Sequence, residues 1–324
     1  MIRRLEKETQ NRQVILAINI LIFILSLAIL LIAANFFTRS AEAIGQWLKF
    51  PPFVIGVFIV GIGTSLPELV SGIISVTGGT SEIVPGNIIG ANISNLLLVT
   101  GLAVVINRKP INLGSGHIAI DLHFLLGGFF TFYIIAYDGR IDLLEASIGV
   151  CLFIVYSIYL IKSGNTSEQP MVASVKKKIP VKSFIILLIA AVGIYFGADY
   201  TVSSLSSIAE AASIPKSIIA LTVLSLGTTL PELAVNISAI RQGKAEMAIG
   251  NVLGSCIFNT LVIPGVVTLF GPITVPETLL SFSLPVMAAC GILFYLLAHD
   301  KKVSVWEGLL FVCIYALFII KIAV

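Results

Sequence analysis

Apolar residues in this chain come in runs of about twenty, separated by short stretches rich in Gly, Pro or charge. Runs of that length cross the roughly 30 Å of hydrocarbon in a bilayer. The bilayer core offers no water to backbone groups, so such runs are expected to be helices. The pattern predicts spans at about 14–34, 53–77, 83–106, 118–137 and 143–161, then at about 184–202, 217–240, 245–269, 279–298 and 306–322. A polar segment with Arg39, Glu42 and Lys49 ends at Pro51-Pro52 and separates the first two. Gly78-Gly79 and Asp138-Gly139 read as turns, and Arg108-Lys109-Pro110 closes the third span. The polar stretch 163–182, with Lys176, Lys177 and Lys178, is the one clear linker and is too short to be a domain.

The pattern is written twice. Gly63-Thr64-Ser65-Leu66-Pro67-Glu68-Leu69 returns as Gly227-Thr228-Thr229-Leu230-Pro231-Glu232-Leu233, an offset of 164 residues. Gly86-Asn87-Ile88-Ile89-Gly90-Ala91-Asn92-Ile93-Ser94-Asn95 returns at the same offset, as Gly250-Asn251-Val252-Leu253-Gly254-Ser255-Cys256-Ile257-Phe258-Asn259. The register holds elsewhere: Pro215 follows Pro51, Asp199 follows Asn35 and Glu246 follows Glu82 at that spacing. The division is therefore 1–162 as a first five-span repeat with its motif at 63–95, 163–182 as linker, and 183–324 as a second repeat with its motif at 227–259. An odd number of spans per repeat makes the second half enter the membrane from the opposite side. The expected fold is an all-α polytopic membrane protein of ten transmembrane helices in two inverted five-helix repeats, with a site where they meet near the midplane.

Composition agrees. Of 324 residues, 57% are hydrophobic and 11% charged, with mean hydropathy +1.04, whereas soluble domains carry about 25% charged residues. The net charge of +3 points to no acidic partner, and a nucleic-acid partner is not expected. Lys and Arg number 13 on the side holding the linker and 7 on the side holding the termini. That bias predicts a cytoplasmic linker, outer termini and a multi-pass protein of the cell membrane. The four cysteines lie in apolar runs without CxxC spacing, as small buried hydrophobes do. Asp199 and Glu210 fall near a span end, where interfacial solvation accounts for them. Glu82 and Glu246 begin spans, where a helix N-terminus favours negative charge. His117, His123 and His299 gather no metal-binding pattern.

The chemistry sits in the repeated phrases. Glu68 and Glu232 lie in strongly apolar surroundings, and an ionisable residue there marks an ion or substrate path. Pro67 and Pro231 are expected to kink or break their helices and free carbonyl oxygens. Thr64, Ser65, Thr228 and Thr229 add hydroxyls, and Asn95 and Asn259 add amide oxygens. Such an all-oxygen set suits hard cations: Ca²⁺ takes six to eight oxygens in flexible geometry, and Na⁺ suits the same atoms. Zn²⁺ or Cu⁺ would call for His or Cys. Two facing carboxylates repel, and one Ca²⁺, two Na⁺ or two protons relieve the repulsion. A site neutralised in mutually exclusive ways is suited to exchange. Gly86, Gly90, Gly250 and Gly254, four apart in each phrase, fit close helix packing, which would bring Asn95 toward Glu232 or Glu68.

GTSLPEL with GNIIGANISN, and GTTLPEL with GNVLGSCIFN, resemble the two alpha repeats of the sodium/calcium exchanger branch of the cation/Ca²⁺ antiporter superfamily. The resemblance implies an antiporter exchanging Na⁺ for Ca²⁺, with Glu68 and Glu232 binding Ca²⁺ and sharing Na⁺ sites. It also implies oxygen ligands from Thr64, Thr228, Ser65 and Thr229, and central polar positions at Asn95 and Asn259. Ser255 keeps a hydroxyl where its mate, Ala91, has none, so the Na⁺ sites are expected to be unequal. Asn259, in place of an Asp, argues against K⁺ co-transport. The Gly-Asn phrases carry no acidic residue, which favours Na⁺ over H⁺. No cofactor is expected beyond the transported ions, and one chain is expected to suffice. A proton-coupled divalent exchanger is the nearest alternative and a cation channel a more distant one. An enzyme finds no support, since HExxH, GxSxG and a Ser–His pair at one depth are all lacking.

Overall fold

Pro, Gly and left-handed turns punctuate a chain that is otherwise helix. The computed structural model describes residues 2–112, 118–164, 179–211, 229–298 and 300–323. Helix α1 (Ile2–Trp47) stops where Lys49 takes a left-handed φ of 61° before Pro51-Pro52. A second span is built from α2 (Pro52–Ile55), a π-helical segment π1 (Gly56–Gly61) and α3 (Ile62–Thr77). The third comprises α4 (Ile83–Ile93), π2 (Ser94–Val99) and α5 (Thr100–Asn107), capped by left-handed Arg108. Next come α6 (Ile118–Ala136), α7 (Leu143–Gly164), α8 (Val181–Ala211) and α9 (Leu230–Arg241). The chain closes with α10 (Ala245–Leu261), α11 (Ile263–Val267), a third π segment (Leu279–Ser283), α12 (Leu284–Ala298) and α13 (Val305–Ala323).

Eight of these stretches are long and apolar enough to cross a membrane, among the described residues. The expected fourth span is present as a shorter apolar helix, Ile120–Ala136. The expected seventh span lies outside the described residues up to 228 and continues as α9. The expected turns are found: Gly79 and Gly139 take φ of +78° and +85°, values that glycine adopts without steric cost. Two expectations are corrected. The segment with Arg39 and Glu42 is not a loop after the first span but the end of α1. Nothing in it breaks a helix before Pro51, and Glu42 finds an ion-pair partner in Lys244 at 2.7 Å. Nor does α3 break at Pro67, which lies inside a continuous helix. The departure from α geometry comes earlier, in π1.

The packing is layered. The span Ala245–Val267 has 89% of its apolar window buried and Ile83–Asn107 has 83%, whereas the outer spans are mostly exposed. Apolar residues on α1, α7 and α8 such as Ile29, Ile154 and Leu188 point outward. Lipid is as apolar as Leu, so helices associate through close packing rather than through escape from water. The inner contact illustrates this. A Cβ on Gly250 would lie 2.3 Å from the Phe53 carbonyl, and one on Gly254 would lie 2.6 Å from the Val57 Cα. Helix α10 thus rests backbone to backbone on α2 and π1. Helices α1 and α8 pair separately: Gly197 faces the Leu30 backbone, and Thr201 donates to Ser26 Oγ at 3.0 Å.

Four two-residue strands join the loops. β1 (Ile111–Asn112) pairs antiparallel with β4 (Lys302–Val303), and β2 (Arg140–Ile141) pairs antiparallel with β3 (Ile273–Thr274).

Candidate cation site

Glu68 projects from the middle of α3 and is 5% exposed; Glu232 lies in the first turn of α9 and is 2% exposed. The α9 N-terminus is the positive end of a helix dipole, which favours a carboxylate there. Pro67 lacks an N–H and so leaves the Gly63 carbonyl without its helical donor. Glu232 lies within electrostatic reach of Glu68 and near the Thr64 hydroxyl. Each carboxylate keeps one oxygen, Oε2, with no hydrogen-bond partner among the described residues.

Close packing of α10 on π1 positions the polar groups beside them. Where Gly61 meets Asn251 and Ser255, a Cβ on Gly61 would come 3.0 Å from the Ser255 nitrogen. Ser255 Oγ donates to the Gly61 carbonyl at 3.2 Å. The Thr64 hydroxyl lies 3.2 Å from Asn251 Oδ1, 3.4 Å from Ser255 Oγ and 3.3 Å from the Gly61 carbonyl. One hydroxyl proton serves one acceptor at a time, so these oxygens form a switchable cluster. Asn95 lies in π2, whose wider turn is a feature often found at functional sites.

The site is buried yet under-bonded. Ser65 Oγ, both amide atoms of Asn95 and Asn259 Oδ1 lack partners among the described residues, like the two Oε2 atoms. An unpartnered buried polar group costs about 1–3 kcal/mol. Buried oxygens of this kind, with two carboxylates, are groups that a desolvated cation could satisfy. The set has carboxylate, amide and hydroxyl oxygens, as hard cations require.

Residues 18–162 and 182–323 match the family described as "Sodium/calcium exchanger protein". The chain belongs to the sodium/calcium exchanger family. A curated relative, "Sodium/calcium exchanger MaX1" of Methanosarcina acetivorans, is 30% identical, with 94% of this chain and 98% of the relative covered. An uncharacterised membrane protein of Methanocaldococcus jannaschii is also 30% identical, over 90% and 94%. Among solved structures, the sodium-calcium exchanger NCX_Mj soaked with zero Na⁺ and Ca²⁺ superposes with a TM-score of 0.79 at 30% identity, covering 94% of this chain and 98% of that one.

Of the residues expected at an exchanger site, Thr64, Ser65, Glu68, Asn95, Thr229, Glu232, Ser255 and Asn259 are all buried. Thr64 is tied by hydrogen bonds to Asn251 and Ser255. Thr228 lies outside the described residues. The glycine packing brings Asn251 and Ser255 against the first Glu phrase. Sequence reasoning missed Asn251, although it follows Gly250 inside the repeated phrase and that position was its signal. It also missed Asn236, one turn after Glu232, which is 1% exposed with both amide atoms unpartnered. Asp121 was missed too. It is 2% exposed in α6 and faces the buried Tyr156 of α7.

Proposed function

We propose that the chain is a secondary antiporter that exchanges Na⁺ for Ca²⁺ across the cell membrane by alternating access. Thr64, Ser65, Glu68, Asn95, Thr228, Thr229, Glu232, Ser255 and Asn259 supply the cation-binding oxygens. The observation that carries this is the pair Glu68 and Glu232: two buried carboxylates within electrostatic reach, each with an unpartnered oxygen, among neutral oxygens. One Ca²⁺ balances the two charges, and so do two Na⁺. If the empty site stays charged, closing it toward hydrocarbon is expensive, which disfavours uncoupled leakage. The relative from Methanosarcina acetivorans is named for the same exchange.

The inverted repeat gives the alternating path. Two contacts support it. Asn92 and Cys256, mates at the 164-residue offset, meet with Cys256 Sγ 3.9 Å from the Asn92 carbonyl. Residues that touch their own mates lie beside a two-fold axis. The strand pairs fit the same axis to within two residues, because moving β1 and β2 on by 164 residues lands at 275–276 and 304–305, two residues past β3 and β4. Such an axis exchanges the two pairs and sets them at opposite ends of the molecule. Five spans per half, with the linker cytoplasmic and the termini outside, follow from this reading and the charge bias. A single chain holds both repeats and so the whole site.

Uptake of ⁴⁵Ca²⁺ into proteoliposomes tests the coupling, with internal Na⁺ in one arm and only a pH gradient in the other. Na⁺-driven uptake, absent under the pH gradient, is expected. Uptake driven by pH alone would assign the chain to proton-coupled exchange, and flux that neither saturates nor couples to a counter-ion would make it a channel.

A further inference from the structure

A groove of about 800 Å³ runs between α3 and α8. Glu68 lines it together with Ser71, Ser75 and Asn87, and so does Asp199, from the later half of α8. Asp199 is exposed and forms no hydrogen bond or ion pair with the described residues. Glu68, in contrast, is buried with an unpartnered Oε2. The groove therefore joins an exposed carboxylate without a partner among the described residues to a buried one with an unsatisfied oxygen.

The repeat sharpens the contrast. The mate of Asp199 is Asn35 on α1, which is neutral and engaged. Gln242 donates from Nε2 to Asn35 Oδ1 at 2.9 Å and to Ser238 Oγ at 3.0 Å. Lys244 Nζ donates to Gln242 Oε1 and pairs with Glu42 at 2.7 Å. One position in the repeat thus carries a free negative charge in one half and an amide held in a closed polar chain in the other.

We propose that Asp199 is a cation-receiving residue, holding a hydrated Ca²⁺ or Na⁺ in the α3–α8 groove before it reaches Glu68. The inference rests on the exchange reading above. It makes the exchanger unequal at its two faces: Asp199 raises the cation concentration at one mouth, and the Asn35 mouth has no equivalent. The residue acts through long-range attraction, without entering the dehydrated site. Such attraction doubles in energy with cation charge and is screened by salt. For a unit charge about 8 Å away in water, removing it weakens Ca²⁺ recruitment about fivefold and Na⁺ recruitment about twofold.

The test compares wild type with Asp199→Asn and Asp199→Glu in oriented proteoliposomes. Half-saturating Ca²⁺ is measured at each face, at low ionic strength and again with about 0.5 M choline chloride. At low salt, Asp199→Asn is expected to raise half-saturating Ca²⁺ about fivefold, and half-saturating Na⁺ about twofold, at one face only. Added choline chloride should remove the difference, Asp199→Glu should restore wild-type values, and the rate at saturating Ca²⁺ should hold. An unchanged half-saturation at both faces overturns the proposal while leaving exchange intact. So does a defect that persists at saturating Ca²⁺ or in high salt, which would mark a ligand or a structural residue. If wild type carries no coupled flux, the exchange reading fails by itself. The comparison then passes to equilibrium ⁴⁵Ca²⁺ binding, where an affinity unaltered by Asp199→Asn at low salt overturns the inference.

Discussion

Thr64 and Asn251 show how much of the site depends on single atoms. Thr64 sits one turn before Glu68, yet its hydroxyl points across to Asn251 and Ser255, both of the other repeat. Asn251 is fully buried, and its Nδ2 has no partner among the described residues. Replacing Asn251 by Ala removes an acceptor that holds Thr64 in place. A buried hydrogen bond is worth about 0.5–1.5 kcal/mol, so apparent Ca²⁺ affinity is expected to fall about three- to tenfold. Isothermal titration of Ca²⁺ into the purified variant checks this; unchanged affinity would make the Thr64–Asn251 contact incidental. At this scale the sequence was legible wherever a residue type is expensive in a membrane. Glu68 and Glu232 stand out because a buried carboxylate needs a reason. Asn251 and Asp121 did not. An Asn inside a glycine phrase reads as packing, and a single Asp near the start of an apolar run reads as a helix end. Only the fold reveals what they face.

The decisive contact between elements is that of α10 on α2 and π1. It depends on Gly56, Gly61, Gly250 and Gly254, where backbones approach too closely for a Cβ. Gly254→Val is expected to force π1 away from α10, separating Ser255 from the Gly61 carbonyl. Overpacking of this kind costs about 1–3 kcal/mol. A lowered melting temperature in detergent is expected, together with weakened Ca²⁺ protection against heating. A variant as stable and as Ca²⁺-responsive as wild type would show that the contact tolerates separation. Helix starts and turns were readable here because Pro and Gly have few conformational options: Pro51-Pro52, Gly79 and Gly139 fall where expected. The reach of α1 through Arg39 and Glu42 was not readable. A charged turn looks like a loop in sequence, but a helix continues until something breaks it. Pro67 misled for the converse reason. A single missing N–H is absorbed within a long helix, and the departure from α geometry lies upstream, in π1.

For the whole molecule, the doubled sequence and the doubled contacts agree. The 164-residue offset was visible in the sequence, and the Asn92–Cys256 contact and the exchanged strand pairs fit an axis relating the halves. The strands themselves had no signal, being two residues long and set by the loops they join. In the proposed exchanger the repeat makes one site from two half-sites, each contributing one carboxylate. The account therefore turns on both carboxylates acting together and on Na⁺ and Ca²⁺ excluding each other. The most direct test is equilibrium ⁴⁵Ca²⁺ binding to purified wild type, Glu68→Gln and Glu232→Gln across a series of Na⁺ concentrations at constant ionic strength. The account predicts Ca²⁺ binding in wild type that Na⁺ displaces with a Hill coefficient above one, because more than one Na⁺ replaces each Ca²⁺. It predicts that either substitution alone abolishes the binding. Ca²⁺ binding that survives in either variant, or that ignores Na⁺, would contradict it.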